Sequence, residues 1–255
     1  MKPHPEHHPI TEKLKNHFSK LNKYLKDEAE FFDESVKFLK LIRNESILVK
    51  LIQEVLADEE YLKEIASNSY RHVNHFSKIV FINDTNQENC RLTMHIWKPP
   101  YIESELSQEL IHDHRFSFAS YVACGKQVHE IFEEDERPSL TKVKFQKYKY
   151  LPSQSGNIHD CFFDKDVYLK EVGVRTVESG SVYTLENQVI HRIVFPEGDE
   201  PIISFLVRGP RKRNFTYTYN TFYPRSGTVS NVPMYTAAEL RELLKYVLLN
   251  VEVKK

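Results

Sequence analysis

The stretch Ile111-His112-Asp113-His114 decides how this chain is interpreted. Its two histidines are two residues apart, and residues i and i+2 of a β-strand point to the same face. Two imidazoles on one face can bind one metal ion. His191, far downstream, can add a third nitrogen from another strand and leave coordination positions open for small ligands. The sequence therefore predicts a metal centre formed by His112, His114 and His191.

Length, composition and charge exclude several classes of protein. The chain has 255 residues, and its net charge of −1 gives no reason to expect nucleic acid or an anionic membrane as a partner. Its 40% of hydrophobic residues is typical of a globular protein. No apolar run reaches the roughly 18–20 residues of a membrane span, and the N-terminus lacks the apolar core of a signal peptide. Three dispersed cysteines suit a reducing compartment, so we expect a cytoplasmic monomer or homodimer.

Both ends of the chain carry helical patterns. Residues 1–10 are rich in proline and histidine and are predicted to form a flexible tail. Residues 11–70 are predicted to form a helical region packed on a barrel, with Ser46 as the cap of one helix. Thr236 and Glu239 form a capping-box sequence that opens a C-terminal helix within residues 226–255. The apolar face of that helix is expected to pack on the barrel or on the helical region.

Residues 71–225 carry the pattern of short β-strands. We predict about nine of them, over residues 76–82, 91–97, 116–124, 127–133, 142–150, 180–185, 191–195, 202–208 and 215–222. Turn-forming residues separate these segments, and no helical pattern lies between them. This arrangement argues for an antiparallel sandwich or small barrel, and hence for a mainly β protein with helices before and after the barrel.

A barrel with His-x-His and a single histidine about 80 residues later resembles the cupin superfamily. The resemblance implies a jelly-roll β-barrel that uses these three histidines as metal ligands, with Gly180 opening the second half of the motif. Cupins usually add a glutamate four or five residues after the second histidine, and Phe118 and Ala119 stand there in this chain. The implied centre is therefore a neutral set of three histidines.

Loss of that glutamate is typical of the thiol dioxygenases, of which cysteine dioxygenase is the best known. The Ile-His-Asp-His run, the strand that ends in Trp97, the His191-Arg192 pair and the strand after Pro201 are similar to that family. The resemblance implies a mononuclear non-haem iron enzyme that binds Fe(II). Its partners would be dioxygen and a small thiol or amino-acid-like anionic substrate. Three imidazoles leave a ferrous ion with three adjacent positions open for these ligands.

The residues that handle substrate in that family are replaced in this chain. Lys78 lies about where the family has an arginine for the substrate carboxylate, and a lysine can hold a carboxylate as a point charge. Leu206 and Arg208 align with the family's His and Tyr relay. Arg208 is predicted to point into the barrel and anchor a carboxylate, sulfonate or phosphate, with a salt bridge or rim position as the alternative. Residues 211–213 are expected to form a solvated turn.

Three more side chains are candidates for supporting the metal ligands, and no catalytic residue is assigned. His129 is expected on the hairpin strand beside His114, either as a core histidine or as a group that orients a ligand. Tyr183 and Tyr121 belong to strands near the ligands; core packing is the favoured interpretation for each, with supply of a phenol to the pocket as the alternative.

Other functions remain open for the same histidines. A metal-dependent isomerase or lyase can use them as a Lewis-acid site, with Fe(II) or another divalent transition metal. A non-catalytic cupin can bind a small ligand without chemistry. A 2-oxoglutarate oxygenase is disfavoured because it requires a carboxylate ligand where this chain has His114.

Overall fold

A computed structural model describes most of the chain. The described residues are 8–21, 24, 26–44, 46–83, 90–106, 108–135, 143–152, 159–196, 198–221 and 233–252. Residues 1–7 of the predicted tail lie outside these ranges, and the first helix already begins at Pro9. Residue 222, the end of the last predicted strand, also lies outside, as do residues 226–232 and 253–255 of the predicted C-terminal segment.

The predicted helical segments are present. The helices are α1 (Pro9–Leu21), α2 (Glu28–Asn44), α3 (Ile47–Ala57), α4 (Glu59–Ala66), α5 (Glu103–Leu106) and α6 (Ala237–Glu252). The capping box of α6 is confirmed, since Glu239 N donates to Thr236 Oγ1 at 3.2 Å and Thr236 N donates to the Glu239 carboxylate at 2.8 Å. Ser46 is the N-cap residue of α3, as predicted, but it has a left-handed φ of 52° and its side chain makes no capping hydrogen bond. None of the described helices is long and apolar enough to cross a membrane.

Twelve described strands form two antiparallel sheets. They are β1 (Tyr70–Arg71), β2 (Ser77–Asn83), β3 (Arg91–Trp97), β4 (Ile111–His112), β5 (Phe118–Cys124), β6 (Lys126–Asp135), β7 (Lys144–Pro152), β8 (His159–Glu178), β9 (Val182–Leu185), β10 (Ile190–Val194), β11 (Ile202–Arg208) and β12 (Thr216–Asn220). The first sheet has the strand order β1-β2-β3-β11-β5-β9. The second sheet, called the closed sheet below, forms a closed barrel with the strand order β10-β4-β12-β7-β8-β6. The predicted mainly β class, an antiparallel barrel with helices at both ends of the chain, is confirmed.

The sequence prediction missed β8, the longest strand. Residues 162–166 of this strand are all exposed, so no alternation of apolar and polar residues marks them. The first half of β8 pairs with β7 and the second half with β6. This one strand therefore joins two parts of the closed sheet.

The helices cover the outer face of the first sheet. The buried faces of α1–α4 and α6 share one apolar core with outward-facing residues of β2, β3 and β11, which confirms the expected packing of α6. The inner face of the sheet packs towards the closed sheet through smaller clusters, one around Leu206 and one around Trp97. The space between the two sheets is therefore where inward-facing polar side chains collect.

Candidate metal centre

Three histidine rings converge between the two sheets. His112 ends β4 and lies opposite His191 of β10 in the antiparallel register. The ring centres are 4.8 Å apart for His112 and His114, 5.0 Å for His112 and His191, and 5.1 Å for His114 and His191. One nitrogen of each ring lies within 4.8 Å of the others. The structure thus brings together the three histidines that the sequence predicted as ligands.

The sequence suggested that His112 and His114 lie on a single strand, and this prediction is wrong. β4 ends at His112, and His114 follows in the loop that leads to β5. The backbone of His114 is fixed by other contacts. Its N–H donates to Asn187 O at 2.8 Å, and its carbonyl accepts from Arg213 Nη2 at 2.7 Å. Loop hydrogen bonds therefore orient the second histidine in place of strand pairing.

Asp113, between the two histidines, bonds to β12 and its flanking loop. Its buried carboxylate pairs with Arg213 at 2.5 Å and accepts from Tyr217 N at 2.7 Å and from Thr216 Oγ1 at 2.8 Å. Because Arg213 also donates to the carbonyl of His114, one guanidinium ties the ligand loop to that carboxylate. The predicted solvated turn is therefore wrong at Arg213. Sequence reasoning missed this residue because its place in a basic run after a proline is typical of a surface turn.

Hydrogen bonds indicate which nitrogen of each ring can face a metal. His112 Nδ1 lies 2.7 Å from the carbonyl of Leu110, which can only accept, so Nδ1 carries the proton and Nε2 the lone pair. His114 Nε2 and His191 Nε2 face each other at 2.8 Å. On the far side of its ring, His191 Nδ1 lies 3.2 Å from His129 Nδ1. A metal on His191 Nε2 therefore leaves Nδ1 to donate to His129.

The three nitrogens fit one transition-metal ion. An ion with metal–nitrogen distances of about 2.0–2.1 Å holds adjacent ligands about 2.9–3.4 Å apart. The Nε2 atoms of His114 and His191, at 2.8 Å, are already close to that spacing. His112 Nε2 contacts Asn74 Nδ2 at 3.4 Å, and the ligand nitrogens of all three rings lie within 4.8 Å of one another. Among the residues that the structure describes, no carboxylate joins the three rings.

Burial keeps the three rings neutral. Desolvation lowers the pKa of His112, and it lowers the pKa values of His114 and His191 well below 6.5. Neighbouring His112 adds to the lowering for the other two. Since neutral imidazole is the form that binds a metal, the site can bind at neutral pH without first losing protons.

His129 and Tyr183 lie near the ligands, although in different roles. His129 of β6 lies opposite Ile193, two residues from His191 on the same face, and its ring stacks on that of His191 at 5.3 Å. It therefore contacts His191, whereas the sequence had placed it beside His114. Tyr183 is buried and donates to Gln127 Oε1 at 3.0 Å, which ties its phenol to the wall of the barrel.

Tyr121 is not brought to the site. Alternation along β5 turns Ser120 and Val122 to the inner face of the first sheet, and Tyr121 packs instead against the helical core. The structure therefore places Tyr121 in core packing, the favoured interpretation, and the alternative of a phenol supplied to the pocket is corrected. The sequence placed Tyr121 in the correct strand but could not specify which face of that strand met the histidines.

Both predicted substrate-binding cations lie on the inner face of the first sheet. Lys78 lies opposite His95, and His95 lies opposite Ser204. Arg208 comes four residues after Ser204, so strand alternation returns it to the same face. Lys78 is 8% exposed and Arg208 is 3% exposed. Arg208 therefore points into the barrel, as predicted.

The environment of these two cations is unfavourable for their charge. Burial, together with the charges of neighbouring arginines, lowers the pKa of Lys78 to about 7 and that of Arg208 to about 9. The Arg208 guanidinium lies 4.8 Å from the ring centre of Phe116, and that ring lies 5.7 Å from the ring of His114. One aromatic ring thus separates Arg208 from a metal ligand.

Similar solved structures include cupin and double-stranded β-helix proteins. A cupin-like protein from Thermotoga maritima is 12% identical over 56% of this chain and 73% of that chain, with a TM-score of 0.29. A conserved protein with a double-stranded β-helix domain from Klebsiella pneumoniae is 11% identical over 61% and 93%, with a TM-score of 0.31. Oxalate decarboxylase from Bacillus subtilis is 11% identical over 55% and 27%, with a TM-score of 0.29. Similarity at this level carries no argument about activity. Neither a scan against protein-family models nor a search of curated proteins found a match.

Proposed function

We propose that this protein is a mononuclear non-haem iron oxygenase of the cysteine dioxygenase-like type. It would oxidise a small thiol or amino-acid-like anionic substrate with dioxygen, in the cytoplasm and without a nucleic-acid or membrane partner. The supporting observation is the set of three neutral imidazoles, joined by no carboxylate in the described part of the chain. Fe(II), when bound by these histidines, supplies a +2 centre that activates dioxygen and lowers the pKa of a coordinated thiol.

The protein's own groups hold the three ligands in place. The carbonyl of Leu110 fixes the ring of His112, and Arg213 fixes the carbonyl of His114. His129 accepts the Nδ1 proton of His191 and sets its orientation. These neighbours hold each imidazole in its binding orientation before the metal arrives. Less side-chain conformational entropy is therefore lost when the metal binds.

Apolar rings and buried cations prepare the space for an anionic substrate. The ring of Phe118 meets that of His114 edge-on at 5.1 Å and keeps water from that side of the ligand. Lys78 and Arg208 are buried on the same inner face of the sheet and can attract the substrate carboxylate. An anion beside Lys78 would favour its charged form, because opposite charges raise the pKa of an amine.

A metal-dependent isomerase or lyase is the second candidate, favoured by one observation. Leu206, at a position where thiol dioxygenases carry their relay, belongs to an apolar cluster with Phe118 and Tyr183. The hydroxyl of Tyr183 is bonded to Gln127. The side chain at this position, Leu206, therefore cannot carry a proton, whereas Lewis-acid chemistry does not require a relay there.

Metal binding is the first test of both candidates. The untagged protein is purified without chelator, loaded anaerobically with Fe(II), and analysed for metal by plasma emission spectrometry. We expect one equivalent in the wild type and in His17→Ala, a remote control in α1. His114→Ala should hold none. A wild-type protein without bound metal would refute both functions.

Oxygen consumption separates the two candidates. The iron-loaded protein is supplied with a panel of small thiols, with and without a carboxylate, in an oxygen electrode. Thiol-dependent oxygen uptake that is lost in His114→Ala supports the oxygenase. Arg208→Ala should raise KM for carboxylate-bearing thiols with unchanged iron content. Loss of iron in Arg208→Ala would contradict the role of Arg208 as a substrate anchor.

A further inference from the structure

The turn between β1 and β2 brings a carboxamide to the metal centre. Asn74 Nδ2 lies 3.4 Å from Nε2 of His112, the ring nitrogen that carries the lone pair. The two residues are 38 positions apart in the sequence. Asn74 follows β1 of the first sheet, whereas His112 belongs to β4 of the closed sheet. The contact therefore connects the two sheets at the metal centre.

A metal ion on His112 needs the lone pair to which Asn74 donates. Neutral His112 has a single ring lone pair, because its Nδ1 carries the proton that is bonded to Leu110 O. An amide hydrogen and a metal ion cannot share that pair. Metal binding thus either displaces the side chain of Asn74 or turns its amide so that the oxygen faces the ion.

The position of the Asn74 amide favours the second outcome. Metal–ligand distances of about 2.0–2.1 Å place adjacent ligand atoms about 2.9–3.4 Å apart. The outer amide atom of Asn74 is 3.4 Å from His112 Nε2, within that range. Rotation of the carboxamide by half a turn exchanges its nitrogen and oxygen with almost no change of shape. The oxygen can therefore reach the position of an adjacent ligand without movement of the backbone.

Hydrogen bonds hold the backbone of Asn74 in the turn. Asn74 N donates to His72 Nδ1 at 3.2 Å, and His75 N donates to His72 O at 2.9 Å. The ring of His72 stacks on that of Phe76 at 4.5 Å, and His75 Nε2 lies 2.9 Å from Gln108 Oε1. The turn is thus fixed on both sides of Asn74, so little conformational entropy is lost when the amide binds a ligand.

The oxygen of the Asn74 carboxamide is available to a ligand. Within the described part of the chain, no N–H or O–H group donates to Asn74 Oδ1. The residue is half-buried between the sheets, where most polar atoms have a hydrogen-bond partner. A metal ion beside His112 Nε2 would provide that partner.

We propose that Asn74 Oδ1 is a fourth, neutral ligand of the metal centre, in the coordination position next to His112 Nε2. The assignment rests on the metal centre of the proposed function and not on its oxygenase activity. Amide oxygen is a harder donor than imidazole and favours ions such as Mn²⁺ and Fe²⁺ over softer ones. All four ligands are uncharged, so the ion keeps its full charge. A six-coordinate ion would have two positions left for other ligands.

Anaerobic titration of the metal-free protein with Co(II) tests the proposal, because the visible absorption of Co(II) changes with its set of ligands. Asn74→Ala should lower the affinity at least about tenfold, the loss found when a group that supports a metal site is removed. It should also change the shape of the absorption band. Asn74→Asp offers a carboxylate oxygen at the same place and should bind Co(II) at least as tightly as the wild type. Asn68→Ala, which removes an exposed amide bonded to Glu64 O, is the control and should match the wild type.

Affinity and absorption together distinguish a ligand from a neighbour. Equal or tighter Co(II) binding by Asn74→Ala would overturn the proposal, because an amide that only donates to His112 competes with the ion. Weaker binding with the wild-type absorption band would also overturn it, since that result describes a residue that positions His112. A wild-type protein that binds no Co(II) would refute the metal centre of the proposed function together with this inference. Binding that does not depend on Asn74 refutes this inference alone.

A thermal measurement checks that the variants fold and gives a second readout. Asn74 is half-buried and its side chain makes one long contact, so the Tm of metal-free Asn74→Ala should stay within about 4 °C of that of the wild type. Excess Co(II) should raise the Tm of the wild type and of Asn74→Asp more than that of Asn74→Ala, because tighter binding stabilises the fold more. Equal increases in all three proteins would contradict a fourth ligand from Asn74.

Discussion

Replacing Asp113 with alanine should destabilise the protein and loosen the metal centre. The buried carboxylate pairs with Arg213 and accepts from Tyr217 N and Thr216 Oγ1. Removing one partner of a buried ion pair costs about 3–5 kcal/mol, and we take the lower end because the Arg213 side chain is 20% exposed. For a chain of this size, about 3 kcal/mol corresponds to a fall in Tm of about 6–12 °C.

Urea unfolding followed by circular dichroism measures this free energy, and Asp166→Ala is the matched control. Asp166 pairs with Lys144 at the surface, with side chains 44% and 56% exposed, so its loss should cost less than about 0.5 kcal/mol. Because Arg213 also holds the carbonyl of His114, we further expect metal affinity to fall about tenfold or more in Asp113→Ala. If Asp113→Ala matched Asp166→Ala in both measurements, Asp113 would not position the ligand loop.

Three further predictions concern a turn, a ligand neighbour and pH. Gly125 has φ 75°, and an added Cβ would lie 2.2 Å from a backbone oxygen, so Gly125→Ala should lose about 3 kcal/mol in urea unfolding. Gly173→Ala, with open space around it, should lose none, and equal effects would contradict this reasoning. His129→Phe should weaken metal binding about 10–100-fold by removing the acceptor for His191, whereas Tyr121→Phe should not; unchanged affinity in both would exclude the support role. Buried histidines with lowered pKa values bind fewer protons in the folded state than in the unfolded state. The free energy of unfolding of the metal-free protein should therefore fall as the pH drops below 6.5. Each such histidine should contribute up to about 1.4 kcal/mol per pH unit. They are His95, His114, His191 and His129, the last with a pKa of about 4. Urea unfolding at several pH values tests this, and a flat profile between pH 6.5 and 5 would show that these rings are not held neutral.

The sequence alone predicted the elements and the ligand types. Helical spacing predicted the helices, short alternating segments predicted most strands, and the Thr236–Glu239 box predicted the start of α6. The His-x-His spacing selected His112 and His114, and the resemblance to the cupin motif selected His191. These features could be predicted because periodicity, capping and the chemistry of a side chain are properties of a few neighbouring residues.

Tertiary structure decided which side chains meet. Strand register places Arg91 opposite Arg208, and alternation within β5 removes Tyr121 from the site. The loop after β4 joins Asp113 to Arg213, about 100 residues away in the sequence. The sequence contains no local sign of these contacts, because strand pairing sets the distance between residues that are far apart along the chain. The metal ligands are thus specified by their residue types, whereas the contacts that support them follow from how the strands pair.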